Sequence, residues 1–145
     1  MLRRMLIVTM VSAALLAGML AATPTTTAAP VFDNSIGTVS VPDQRWRRLC
    51  HDYLMQWTFR PPNDDWQVRA KVRTPKGFPI RTEFWDADSG NKRGQRQGYL
   101  RFELCGSSVK PGRYSVHMVM LYNEGREVIT RYRKPTYFRL FRPQR

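Results

Sequence analysis

Cys50 and His51 stand side by side in "RRLCHDYLMQWTF", the stretch from Arg47 to Phe59. A thiol and an imidazole within hydrogen-bond reach can form a nucleophilic pair. Consecutive residues of an extended strand point to opposite faces, so if this stretch is a strand its adjacency works against a dyad. His117 is the one other histidine and Cys105 the one other cysteine. A zinc or copper site would therefore need a reduced thiol and both histidines gathered from separate strands. No metal and no cofactor is expected.

The carboxylates offer little more. "DADSGN", Asp86 to Asn91, begins like a calcium loop, but Gly90 takes the fifth position and Gln97 the twelfth, where a ligand and a bidentate glutamate belong. It reads as a hairpin turn. Asp64 and Asp65 could act as an acid–base pair, yet neighbours in a Pro-Asn loop are ordinary turn formers. An enzyme is not expected, and a small secreted hydrolase is the remotest of the functional readings.

Charge is the stronger signal. The chain holds 24 Lys and Arg against 11 Asp and Glu. Residues 29–88 carry 9 basic and 8 acidic groups, whereas residues 89–145 carry 13 and 3. Beyond residue 28 arginine outnumbers lysine 17 to 5, which suits bidentate binding of phosphate or carboxylate, although a codon bias would leave the same trace. The excess is densest in "RYRKPTYFRLFRPQR", where Arg131, Arg133, Lys134, Arg139 and Arg142 interleave with Tyr132, Tyr137, Phe138 and Phe141. Basic groups with aromatic planes can bind polyanions. The plainer reading is a last strand whose aromatics fill the core and whose arginines are solvated. In the binding reading the arginines line one edge, and Lys110, Arg113 and Arg126 extend the surface from flanking turns.

These residues need elements to hold them. In "DWQVRAKVRT", Trp66, Val68, Ala70 and Val72 alternate with Gln67, Arg69, Lys71 and Arg73, the pattern of a half-buried strand. The same period recurs at Phe78, Ile80 and Phe84, at Leu100, Phe102 and Leu104, and from Tyr114 to Tyr122. Turn signals "RPPND", "TPKG", "DADSGN", "KPG" and "NEG" separate the runs, as in an all-β sandwich. Adding "SIGTVSV" first and "REVITRYRKPTYFRLF" last predicts an immunoglobulin-like antiparallel β-sandwich of about seven strands. The opening stretch fits both periods. Trp46, Leu49, Cys50, Tyr53, Leu54 and Trp57 match a helix, while Tyr53, Met55, Trp57 and Phe59 match a strand. Six neighbouring strands in want of a partner favour the strand, with a helix as the alternative.

The chain begins Met-Leu-Arg-Arg, runs through the apolar Met5–Leu20 and passes into "AATPTTTAAP", the layout of a secretory signal. Cleavage is expected after Ala28, with Ala22 the other possibility. That divides the chain into a signal peptide, 1–28, and one domain, 29–145, with an extracellular address and no transmembrane segment after cleavage. Outside the cell two cysteines pair by default. In the sandwich, the second strand starts at Cys50 and lies antiparallel to the fifth, which ends at Cys105, so the two thiols meet across the outer face.

The leader, the "PGRYSV" strand start and the closing "FRLFRP" together resemble the small secreted immunoglobulin-like proteins of actinobacteria, over residues 35–142. The resemblance implies a fold and an address, and carries over no catalytic or ligand residue. The expected function is a secreted, non-enzymatic binding or envelope-associated module whose basic C-terminal face contacts an anionic polymer. Export keeps it away from cytoplasmic nucleic acid. The alternative is a carbohydrate-binding module that stacks sugars on exposed Trp85, Trp46 or Trp57.

Overall fold

The computed structural model describes residues 29–88, 93–107 and 109–142. The expected signal peptide and its cleavage sites lie outside these residues. Among those described there is no helix and there are nine strands: β1 (Gly37–Ser40), β2 (Gln44–Arg45), β3 (His51–Phe59), β4 (Trp66–Arg73), β5 (Pro79–Asp86), β6 (Gln97–Leu104), β7 (Gly112–Glu124), β8 (Glu127–Tyr132) and β9 (Thr136–Phe141). The ambiguous stretch is thus a strand from His51 onward.

The strands form an immunoglobulin-like sandwich. One sheet has the order β1-β3-β6; the other runs β2-β9-β7-β4-β5, with β8 also on β7. Every strand pair is antiparallel except β2–β9, which is parallel. Alternation decides what each strand buries. Val68, Ala70 and Val72 of β4 face Tyr53, Met55 and Trp57 of β3 and Phe102 of β6 across one apolar core, while the residues between them point out. At the start of β7 the buried Tyr114 turns its hydroxyl back on the chain, donating to the carbonyl of Lys110 (2.7 Å) and accepting from its N–H (3.0 Å). This is the tyrosine corner of immunoglobulin-like sandwiches. Gly125, at φ 64°, takes the first position of the two-residue β7–β8 turn, where a positive φ suits the twist of the flanking strands.

Three features differ from the expected strand pattern, the first being the two-residue β2, which pairs with β9. The single last strand is divided: Val119 pairs with Tyr132 and Val116 with Thr136, so two residues of β7 oppose the three from Arg133 to Pro135. That is a one-residue bulge, placed where Pro135 has no N–H to offer the ladder. In β5 Ile80 packs against the core as expected, but past the register shift at Val72–Arg73 the parity is the reverse of the expected one. Phe78 and Phe84 are exposed, and Trp85, 1% exposed, faces the core. The register Val68↔Trp85 aligns Trp85 with the inner face of β4, where it meets Trp57 at 5.3 Å and Phe59 at 5.2 Å. A shift of one residue exchanges the two faces of a strand. The large indole completes the core where the narrower sheet ends.

Cys50 and Cys105 are joined, with their Cα atoms 4.1 Å apart. The last ladder pair of β3 and β6 is His51↔Leu104, so the bond continues that register by one step on the outer, exposed face.

Candidate functional site

The five cations singled out in the last strand lie in three places. Arg131 and Arg133 turn toward the N-terminal segment. Arg133 donates through Nη1 to the carbonyl of Asn34 (3.1 Å), and Arg131 helps hold the Asp33 carboxyl below its ordinary value, behind the hydrogen bonds that Asp33 receives from Ser35. Lys134 is exposed on the bulge, its N–H donating to Asn34 Oδ1. Arg139 points outward from β9, and Arg142 lies over the Trp46 ring at one end of the sandwich. They do not form one edge.

A larger basic surface appears on the outer face of the wide sheet. Outward positions of β4 carry Arg69, Lys71 and Arg73, those of β7 carry Arg113 and His117, and those of β9 carry Tyr137 and Arg139. Register sets their neighbours. Arg69 lies between Phe84 and Val119, Val119 beside Tyr132, Lys71 beside His117, and Arg73 beside Ser115, which pairs in turn with Tyr137. Arg113 is directly opposite Arg139. Two carboxylates border this field: Asp86 at the far end of β5, and Asp43, whose Oδ1 accepts from the Arg139 N–H at 2.6 Å.

The electrostatics follow from this crowding. The His117 pKa is lowered, first by burial and then by the Arg73 guanidinium, and one ring nitrogen lies 3.1 Å from Ser115 Oγ. Arg73 spends Nη1 on the Gly77 carbonyl (3.0 Å), and its buried Nε–H meets no acceptor among the described residues. Arg113 stands 4.1 Å above the ring of the exposed Tyr137, a cation–π contact. The sequence pattern around β4 already displayed Arg69, Lys71 and Arg73 as outward residues. What it left unseen was their alignment with Arg113 and Arg139.

The other candidates have ordinary structural partners. Both cysteine sulfurs are bonded to each other, which takes Cys50, Cys105 and the nearby Glu103 out of use as a metal cluster in this state. Asp64 pairs with Arg96 and Asp65 accepts from the Asn123 side chain, as loop ties. Asp86 accepts from the Asp88 N–H within its own turn. Trp57 and Trp85 are core residues, 4% and 1% exposed, so neither offers a sugar platform, and of the three proposed only Trp46 keeps an accessible face. Among the described residues no helix is long and apolar enough to cross a membrane, and the disulfide is compatible with an extracellular protein. No family model, curated protein or solved structure matches the chain.

Proposed function

We propose that this protein is an exported, non-enzymatic binding module that holds an anionic polymer, such as a phosphate-rich component of a cell envelope, on the outer face of its wider sheet. The observation that carries the reading is Arg113 directly opposite Arg139, with Arg69, Lys71 and Arg73 on the neighbouring strands. Like charges paired across an antiparallel ladder destabilise it. Solvent and salt screen part of that repulsion, and a bound row of anions would remove more of it. Arg69, Lys71 and Arg73 recur along β4 at intervals of about 7 Å, a spacing that favours a chain of charges over one compact anion. Phe84, Tyr132 and Tyr137, all exposed, put aromatic planes among the cations. The basic ending read from the sequence contributes Arg139 to this face. The address rests on the leader, and the resemblance to small secreted immunoglobulin-like proteins rests on the leader together with "PGRYSV" and "FRLFRP".

The test uses long-chain polyphosphate as probe and two charge-reversed variants of equal net charge. Replacing Arg69, Lys71 and Arg113 by Glu should lower affinity at least thirtyfold and flatten the slope of log K against log salt by about one per lost phosphate contact. Replacing Arg60, Arg96 and Arg101, which lie on or beside the strands of the narrow sheet, should cost less than threefold. Equal loss in both would reduce the effect to net charge and end the case for a site.

A further inference from the structure

At the end of the sandwich where Cys50 meets Cys105, the segments flanking the disulfide frame an open cleft of about 940 Å³. Its apolar surface comes from Trp46, Leu49 and Pro111, and its cations are Arg48, Lys110 and Arg142. That volume is within the range that holds a drug-sized or lipid-like molecule.

The cleft is fixed from three sides. The Trp46 indole Nε1–H donates to the Val109 carbonyl at 3.0 Å, the Lys110 backbone is gripped on both sides by the Tyr114 hydroxyl, and the disulfide holds Cys50 against Cys105. Leu49 is the residue that the fold does not explain. The residue is 83% exposed and its φ is 68°, the left-handed region that costs a non-glycine residue energy. A glycine would sit there with less strain, and a polar residue would meet water better. A leucine in that position gains only if something apolar covers it. The guanidinium of Arg142, 5.8 Å from the Trp46 ring, together with Arg48 and Lys110, fixes the charge of that partner.

We propose that this cleft binds a single-chain anionic amphiphile, its acidic head against Arg48, Lys110 and Arg142 and its chain along Trp46, Leu49 and Pro111. The site is separate from the basic outer face of the wide sheet. Phosphate and carboxylate heads share the chemistry required. A polyanion without an apolar part would leave Leu49 bare.

Dodecyl phosphate, kept below its micelle concentration, is the probe. Calorimetry on the disulfide-bonded protein should show saturable binding of one molecule. Emission should change through Trp46, since Trp57, Trp66 and Trp85 are each 4% exposed or less. Lys110→Gln with Arg142→Gln should weaken binding at least tenfold, and dodecyl maltoside should bind at least a hundredfold more weakly. Leu49→Gly is the sharpest variant: it should weaken binding at least fivefold while the melting temperature holds or rises, because the strain is relieved. The charge-reversed outer-face variant should bind dodecyl phosphate as the parent does, which separates this site from the polyanion reading. Absence of saturation, equal binding of the maltoside, or indifference to Leu49→Gly would overturn the proposal. So would retention on phosphatidylglycerol vesicles without binding of the monomeric probe, which would mark a membrane-docking surface instead.

Discussion

Gln44 holds Leu54 as a neighbouring strand would: its Nε2 donates to the Leu54 carbonyl at 3.1 Å and its Oε1 accepts the Leu54 N–H at 2.9 Å. The backbone of Gln44 meanwhile pairs with Leu140 in the opposite sheet. One residue therefore belongs to both layers, at the point where the chain leaves β1 and crosses over. The crossing delivers Trp46 to the end of the sandwich.

Gln44→Ala would strip Leu54 of both partners in a half-buried setting, which should cost about 1–3 kcal/mol in denaturant unfolding. Hydrogen exchange at the Leu54 amide should quicken in the same variant. An amide that exchanges as slowly as before would mean that another group, or water, carries the pairing.

Trp85→Ala should be among the most damaging single changes, at about 3–5 kcal/mol, because it empties the space between Trp57 and Phe59. Phe84→Ala, one position away, should cost well under 1 kcal/mol. If the two effects are reversed in urea unfolding, the register of β5 is shifted by one. Gly98 supports the same cluster from β6. A Cβ there would come within 2.7 Å of the Trp57 ring, so Gly98→Val should displace the indole and lower the melting temperature.

The disulfide closes a loop of 55 residues. Restricting the unfolded chain by that much is worth about 4 kcal/mol in the chain-entropy model. Replacing both cysteines by alanine should lower stability by about that amount and leave the far-ultraviolet spectrum of the folded protein unchanged, since the core lies elsewhere. A loss under 1 kcal/mol would show that the unfolded chain is already restrained there.

His117 makes stability and binding depend on pH in opposite senses. Its folded pKa lies below 6.5, the ordinary imidazole value. The unfolded chain therefore takes up a proton first as pH falls, and the contribution to stability present above 6.5 is lost between there and the lower folded value. Lys71 and Arg73 on β4 face the ring, so a bound polyanion that screens them should raise the pKa again. Affinity for polyphosphate should then increase as pH falls from 7 to 5, by up to about tenfold for each unit of that rise. His117→Gln should remove both slopes. A melting temperature indifferent to pH in the parent and in the variant alike would discard this role.

What the sequence alone determined is what a single strand or a neighbouring pair can encode. The alternation from Trp66 to Arg73 suffices to orient β4, because a strand with one covered face must repeat every second residue. The positions of Cys50 and Cys105, at the start of one strand and the end of another, suffice for their pairing once those strands are neighbours. Tertiary structure decided everything that depends on register between strands far apart in the chain. Phe84 and Trp85 are both large and apolar, and only the alignment of β5 on β4 chose which one to bury. The bulge at Arg133–Pro135 sends Arg131 and Arg139 to different sides, although the sequence shows them as one basic run. Arg113 and Arg139 became opposite partners only when β9 returned along β7. The charge of each residue is written in the chain, but its neighbours are set by pairing energies summed over a whole sheet.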